Sequence, residues 1–209
     1  MYCISIHRIR DQRGQTLIEL MAAIFVITTG LLGVLGLTTA NVRSETTAVM
    51  RLTAFNFARE GVELARNVRD SNWLSDQPWS KGMTDLVTHC AGISTKITAD
   101  AFVQYFSDIP SCDSNLFDDS YRIFFDSGLY TQDQVRAPSA AQTQYYRRIL
   151  FDPICLNESG AVTETIKTSG GCDPSSEIMA GILVTSEVVY KMSGRTQSAR
   201  IIERLYNWR

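Results

Sequence analysis

An apolar run near the N-terminus constrains this chain more than any other feature. Leu20 to Leu37 is a stretch of eighteen residues without a charged side chain. An α-helix rises about 1.5 Å per residue, so the run covers roughly 27 Å, close to the thickness of a bilayer core. The sequence therefore predicts a membrane-crossing segment at about residues 18–37.

The charges on either side of the run predict its orientation. Ahead of Glu19, the N-terminal stretch has three arginines and a single acid: Arg8, Arg10, Arg13 and Asp11. Behind the run, Arg43 is soon balanced by Glu45. An excess of basic residues marks the cytoplasmic side of a membrane segment. We expect a single-pass protein of the inner (cytoplasmic) membrane, with the N-terminus in the cytoplasm and the body outside.

A secretory signal peptide is the alternative interpretation of such a run. Its apolar part is typically about 7 to 15 residues long and ends at a small-x-small cleavage site. Here the run is longer and continues without a proline or a loop signal as far as Trp73. Beyond the run, apolar residues recur at steps of three, four or seven, as on one face of a helix: Val42, Val49, Leu52, Phe55, Ala58, Val62, Ala65 and Val68. We predict one helix over residues 15–71, its first half suited to lipid and its second half to packing on a globular domain.

Glu19 stands at the leading edge of this apolar run. A charged residue at the membrane centre costs about 2.5 to 3.5 kcal/mol, and less near an interface, so this acid should have a partner. The positions three and four residues further on hold Ala22 and Ala23, so its own helix supplies no cation there. A cut after Gly14 would give Gln15 a positively charged amine, which could meet Glu19 of a neighbouring copy.

The stretch "RGQTLIEL" resembles the class III signal of type IV prepilins and pseudopilins. The matching residues are, in order, Gly14, Thr16, Leu17, Ile18, Glu19 and Leu20. The resemblance implies cleavage after Gly14 by a membrane prepilin peptidase, N-methylation of Gln15 as the new first residue, and a role for Glu19 and its neighbours in assembly. It also implies the partners: other pilin subunits, the peptidase, the inner-membrane assembly platform and, before assembly, membrane lipid.

Two features depart from the family pattern. Gln15 follows the cut, where the family most often has Phe. Gly36 lies about where many major pilins carry a proline, in a series with Gly30 and Gly33. Glycine costs up to about 1 kcal/mol per helical site, so this stretch could loosen when the subunit leaves lipid. Close helix packing through small residues is the alternative explanation.

Beyond Asn72 the composition becomes that of a mixed, turn-rich domain. The stretch from there to about Asp119 indicates loops and a short helix. Clearer strands follow, with starts at Tyr121, Tyr145, Met179 and Arg195, and Ser193-Gly194 joins the last two as a hairpin. The predicted fold is α+β and pilin-like, with an antiparallel sheet of about four strands packed on the second half of the helix.

The chain is thus expected to have three parts. Residues 1–14 form a basic leader that is cleaved off. Residues 15–71 form the long helix. Residues 72–209 form an extracytoplasmic globular head.

The cysteines agree with an exported head. Cys3 lies in the leader, and four cysteines remain beyond it: Cys90, Cys112, Cys155 and Cys172. An even number outside the cytoplasm favours disulfides, with three possible connectivities. We favour Cys90 with Cys112 and Cys155 with Cys172, because each pair closes a local loop. Zinc is the competing interpretation, but no CxxC pair is present and the mature chain has only His89 as a histidine, so no metal is expected.

The sequence gives no indication of catalysis or of a cofactor. His89 alone would have to serve any Ser/His or Cys/His scheme, and neither a GxSxG nor an HExxH motif occurs. Asp118 and Asp119 would point to opposite faces of a strand, so a solvated loop is the better interpretation than a shared proton. A net charge of -2 and a pI near 5.7 do not support binding to nucleic acid.

The favoured function is that of a structural subunit, a minor pilin of a type IV pilus or related filament. The segments "AREGVELARNVRDSNW" and "ARIIERLYNWR" resemble PilV-type minor pilins more than major pilins. A pseudopilin of a type II secretion system is the alternative within the family. A membrane-anchored binding or sensing module is the alternative outside it, and a cut after Gly14 separates the two classes because a simple tether has no use for one.

Overall fold

The computed structural model describes residues 15–86, 88–97, 102–109, 112, 115–126, 128–133, 141–157, 163–168 and 170–207. In chain order their elements are α1 (Gln15–Leu74), β1 (Cys90–Ile97), β2 (Phe102–Asp108), a 3-10 helix (Asp119–Tyr121), β3 (Arg122–Asp126), β4 (Leu129–Thr131), β5 (Ala141–Asn157), β6 (Glu164–Ile166), β7 (Glu177–Met192) and β8 (Arg195–Tyr206). The chain forms two compact units that divide between Val49 and Met50. The predicted α+β class is confirmed.

Strand β5 organises the sheet of the second unit. One edge of β5 pairs with β7, from Tyr145↔Tyr190 to Asn157↔Glu177, and β7 pairs with β8 on its other side. The opposite edge of β5 pairs in succession with β3, β1 and β6. Strands β2 and β4 are the hairpin partners of β1 and β3. All of these pairings are antiparallel, as predicted.

The prediction of about four strands is wrong, because the described residues contain eight. The segment from Tyr121 to Tyr130 forms a hairpin rather than one strand, with Gly128 in the left-handed region at φ 89°. Strand β6 and the β1–β2 hairpin were not predicted. The first hairpin lies in the region where loops were expected. Its strands alternate poorly in sequence, because Ser94 and Thr95 are polar and yet both buried.

Small residues of α1 face the sheet in the part of the helix that follows Met50. Ala54, Ala58 and Ala65 are fully buried there. At Gly61 an added Cβ would lie 2.6 Å from Ser186 Oγ, so only glycine permits this approach of helix and sheet without a shift. The predicted apolar face of the helix is buried at Ala58, Val62 and Ala65. Four other residues of that predicted face are exposed: Val42, Val49, Leu52 and Phe55.

Two disulfides tie loops to the sheet. They join Cys90 to Cys112, with Cα atoms 5.6 Å apart, and Cys155 to Cys172, with Cα atoms 5.5 Å apart. These are the two pairs that the sequence favours. Cys90 is the first residue of β1 and Cys155 lies in β5, so each bridge fixes a loop to a buried strand position.

Candidate functional site

The first unit presents an apolar helix with nothing covering it. Every side chain described from Thr16 to Val49 is exposed, and the large apolar ones are 53% to 69% exposed. In the part of the chain that the structure describes, α1 is the one helix long and apolar enough to cross a membrane. An exposed surface of this size marks a segment that lipid or other protein must cover.

Threonine hydroxyls in this segment are satisfied by the helix itself. Six of them donate to carbonyl oxygens four residues earlier at 2.8 to 3.0 Å: Thr28, Thr29, Thr38, Thr39, Thr46 and Thr47. A hydroxyl without a partner in hydrocarbon would cost several kcal/mol, about 4 to 8 on a cyclohexane scale. These six threonine side chains are therefore compatible with an apolar medium.

Glu19 is the one charged residue between Thr16 and Val42. It lies in the second turn of α1, and no cation among the described residues forms an ion pair with it. A carboxylate placed in this way has a strong electrostatic preference for a cation in apolar surroundings. Within the described chain that preference is unmet.

The other predicted processing and assembly residues lie at the start of the same helix. Gly14 lies outside the described residues, and Gln15 is the first residue of α1. Thr16, Leu17, Ile18 and Leu20 follow on its first two turns and are exposed. Cleavage at Gly14, methylation of Gln15 and the assembly roles of the others stay predictions.

The glycine series remains helical. An added Cβ at Gly30, Gly33 or Gly36 would meet nothing within 4 Å. No contact within the chain therefore requires glycine at these positions, and each glycine leaves a small gap in the surface of the helix. Both explanations offered for the series, local loosening and close helix packing, stay predictions.

A buried ion pair within the second unit joins α1 to the sheet, and it was not predicted from the sequence. The Arg147 guanidinium is fully buried, and its Nη1 lies 2.7 Å from Glu60 Oε2. The same nitrogen donates to the Phe57 carbonyl oxygen at 3.2 Å. Burial lowers the pKa of Arg147 from its usual value, and the charge of Glu60 opposes that shift. Helix and central strand are thus joined by a charge-assisted contact inside the core.

Gln132 extends this contact into a network. Its Oε1 accepts from Arg147 Nε at 2.9 Å and from the Ile93 backbone N–H at 3.0 Å. Its Nε2 donates to the carbonyl oxygens of Tyr121 and Arg147 at 3.0 and 2.7 Å. Gln104 Nε2 donates to Glu60 Oε1 at 2.9 Å. The alternation of β5 could have revealed the network, because it places Arg147 on the same face as apolar neighbours two residues away.

The acidic pair at Asp118 and Asp119 has structural partners. The Asp118 carboxylate accepts from Ser120 N at 2.9 Å and caps the 3-10 helix, and hydrogen bonds from Ser120 lower its pKa. Asp119 accepts from Arg122 Nε at 2.8 Å. Among the described residues, one cluster has metal-ligand spacing, Cys155, Cys172 and Glu177, but its cysteine sulfurs form a disulfide.

The fold and its helix define a class: an α+β protein with an N-terminal helix suited to membrane anchoring. The family model for the prokaryotic N-terminal methylation motif matches residues 9–35. This match supports the predicted type IV pilin and pseudopilin family. Neither a curated protein nor a solved structure matches the chain. The closer resemblance to PilV-type minor pilins stays a prediction.

Proposed function

We propose that this protein is a minor pilin, a structural subunit of a type IV pilus or related filament. One observation carries the proposal: the methylation motif opens directly into a helix segment, residues 16–49, whose apolar side chains are all exposed. The motif supports the assignment to the pilin family. The exposed apolar surface supports a role in assembly, because a subunit that packs against its neighbours must expose apolar side chains before it does so.

The precursor is held in the inner membrane by this segment. The basic leader keeps the N-terminus in the cytoplasm, and the disulfide-bonded head lies outside. Prepilin peptidase then cuts after Gly14, and Gln15 becomes the N-methylated first residue. The cut removes the leader and creates a cationic amine four residues from Glu19.

Assembly pairs that amine with Glu19 of a neighbouring subunit. In a helix bundle with few polar groups the two charges attract strongly, and the pair fixes the axial register of adjacent helices. Cohesion comes mainly from packing of the apolar side chains, each of which is worth about 1.5 to 3 kcal/mol when it is buried away from water. The pilus assembly platform of the inner membrane and the other pilins are the partners.

The intact mass of the protein tests this function. The full chain is expressed in membranes with and without a prepilin peptidase, beside a Gly14→Val variant that removes the cleavage site. We expect loss of the first fourteen residues from the wild type alone and an added methyl group on Gln15. If the leader stays on in all samples, the filament function is wrong and a membrane-anchored binding module is the better account.

Incorporation into a filament then separates the two uses within the family. Purified pili and secretion pseudopili from strains that express the tagged protein are compared by mass spectrometry. Recovery from pili at a small fraction of the main subunit supports a minor pilin. Recovery from pseudopili alone replaces that assignment by a pseudopilin of a type II secretion system.

A further inference from the structure

One disulfide of the head has a carboxylate beside its sulfurs. The sulfurs of Cys155 and Cys172 and one carboxylate oxygen of Glu177 all lie within 4.8 Å of one another. Thiolates and carboxylates are both ligands of zinc in proteins. A disulfide bond and a bound metal ion are therefore two alternative uses of the same two sulfurs.

Glu177 is held in this place by two contacts. Its Oε2 accepts from the Asp173 backbone N–H at 2.9 Å, and its Oε1 lies 3.0 Å from Lys167 Nζ. The side chain is only 13% exposed. A carboxylate oxygen has two lone pairs, so each oxygen can still face a cation after it has accepted one hydrogen bond. The carboxylate is thus positioned before any metal arrives.

The two cysteines differ in their freedom to move apart. Cys155 is fully buried within β5, whereas Cys172 is half-buried in the loop before β7. Gly170 and Gly171 precede Cys172, and an added Cβ at either glycine would meet nothing within 4 Å. Two sulfurs bound to one zinc ion are roughly 3.7 Å apart, about 2 Å further than in a disulfide. The loop can supply this shift while β5 stays in place.

The other disulfide lacks such a neighbour. In the part of the chain that the structure describes, no third metal-ligating side chain joins Cys90 and Cys112 in this way. The two bridges of the head are therefore chemically different, and the second one is the internal control for the first.

The ligand set selects zinc among the common divalent ions. Thiolates bind Zn²⁺ far better than they bind Mg²⁺ or Ca²⁺, which prefer oxygen ligands. Three protein ligands leave the fourth tetrahedral position to a water molecule. Two thiolates and a carboxylate carry one more negative charge than Zn²⁺ neutralises, and the Lys167 ammonium beside Glu177 balances it.

We propose that the reduced head binds one Zn²⁺ through Cys155, Cys172 and Glu177, and that this ion competes with the disulfide. Binding to the two thiols releases two protons. Oxidation then breaks both zinc–sulfur bonds, forms the sulfur–sulfur bond and returns Zn²⁺ to solvent. The two electrons pass to a disulfide oxidant, which takes two protons from water and leaves as a dithiol. The proposal does not depend on filament assembly, since it concerns residues of the head alone.

Cobalt titration of the full-length protein tests the proposal, in a Cys3→Ser background that removes the leader cysteine. The protein is reduced with a phosphine and titrated with Co²⁺, whose sulfur-to-cobalt charge-transfer band reports thiolate ligands. We expect one Co²⁺ per reduced chain, displaced by Zn²⁺ but not by Mg²⁺, and none bound by the disulfide form. Absence of the band in the reduced protein, or its presence in the oxidised protein, overturns the proposal.

Two double variants locate the metal. Cys155→Ser with Cys172→Ser should abolish the band, whereas Cys90→Ser with Cys112→Ser should retain it. An unfolded reduced chain would bind metal through either pair. Equal uptake of Co²⁺ by the two variants therefore overturns the proposal.

Glu177→Gln tests the third ligand. The affinity of the reduced protein for Co²⁺ should fall about tenfold or more. Glu164→Gln is the matched control, because Glu164 also forms an ion pair, with Arg204 at 2.9 Å, and should leave the affinity unchanged. Equal affinity in wild type and Glu177→Gln would overturn the three-ligand site.

The rate of bridge formation tests the competition. Oxidised glutathione is added to the reduced protein with and without Zn²⁺, and the free thiols are counted by alkylation and mass spectrometry. We expect Zn²⁺ to slow formation of the bridge between Cys155 and Cys172 more than formation of the bridge between Cys90 and Cys112. Equal slowing of both bridges, or no slowing, would contradict the competition.

Discussion

The two parts of helix α1 use opposite kinds of side chain. From Thr16 to Val49 the helix carries large aliphatic residues that are exposed along their whole length. From Met50 onward the positions that are buried are mostly small, with alanine at 54, 58 and 65 and glycine at 61. Large residues suit partners that come from outside the chain, whereas small residues let a helix approach its own sheet closely. The difference teaches that one helix carries two kinds of packing surface, one for contacts outside the chain and one for its own sheet.

Two glutamates of the helix, Glu19 and Glu60, show the same contrast. Glu60 has its cation, Arg147, within the chain at 2.7 Å. Glu19 has none among the described residues and stands where an ion pair with a neighbouring subunit is proposed. Glu60 has its ion-pair partner within the folded chain, whereas the partner of Glu19 is proposed to come from a neighbouring subunit.

Removal of Arg147 should have the largest effect on the head. Arg147→Met leaves Glu60 and Gln132 without their partner inside the core, which typically costs about 3 to 5 kcal/mol. We expect a loss near 3 kcal/mol, since the Glu60 side chain is 29% exposed and keeps some solvent. Urea unfolding followed by tryptophan fluorescence measures it. The double variant Arg147→Met, Glu60→Leu should recover part of the loss, and a loss below about 1 kcal/mol in the single variant would contradict the network.

The disulfides should come next. Cys155→Ser with Cys172→Ser opens a loop with a sequence separation of 17 residues, for which a loss of about 2 to 4 kcal/mol is typical. Thermal unfolding under non-reducing conditions gives the shift. Cys3→Ser is the control, because Cys3 lies in the predicted leader and its substitution should leave the melting temperature unchanged. A variant as stable as the wild type would show that the bridge does not constrain the head.

The same substitution, glycine to alanine, should change stability in opposite directions in the two parts of the helix. Gly61→Ala forces a Cβ to within 2.9 Å of Ile149 Cδ1 and should destabilise the head by about 1 to 3 kcal/mol. Gly33→Ala meets no atom within 4 Å and should favour the helix by up to about 1 kcal/mol in the unassembled subunit. Circular dichroism and urea unfolding measure both. Equal changes in stability for Gly61→Ala and Gly33→Ala would contradict the view that only the second part of the helix packs closely on the sheet.

A smaller effect is expected from the half-buried Asp152. Burial raises the pKa of its carboxyl, and the nearby His89 opposes the shift. The folded state therefore binds this proton more tightly than the unfolded chain, so stability falls as pH rises above the usual value of 3.8 and through the raised pKa. Asp152→Asn should be more stable than the wild type at neutral pH, and the difference should shrink toward acid pH. A difference that does not change with pH would rule out this cause.

Glu19→Ala should have the smallest effect on the head and still reduce function. No residue of the head unit forms a described ion pair with Glu19, so the melting temperature should be unchanged. Cleavage and membrane insertion should also persist, since both depend on the leader and the apolar run. Recovery of the subunit in purified filaments should fall, as quantified by mass spectrometry against the main pilin. Normal recovery would contradict the proposed pairing with the Gln15 amine.

The sequence predicts what depends on local pattern. The apolar run, the leader motif, the long helix and the strands β5, β7 and β8 carry strong periodic or charge signals. Strands β1 and β2 were missed because buried polar residues such as Ser94 break their alternation. The predicted apolar face of the helix was wrong at Leu52 and Phe55. Small residues that fit closely against the sheet, such as Ala54 and Ala58, are buried instead of these larger apolar ones.

The partners in the buried network are contacts that no local pattern identifies. The alternation of β5 indicates that Arg147 lies on a buried face, whereas residue type alone assigns both Arg147 and Gln132 to the surface. Their burial follows from partners 87 and 15 residues away along the chain.

The threonine hydroxyls bonded to their own helix bear on the proposed transfer of the subunit from bilayer to filament. Thr28 and Thr29 lie within the predicted membrane segment, and each donates to a carbonyl oxygen of its own helix. Under the proposed function, these two hydroxyls need no new partner when other subunits replace lipid around the helix. The barrier to that transfer would then be set by the aliphatic side chains and by Glu19, the one charged residue of residues 18–37.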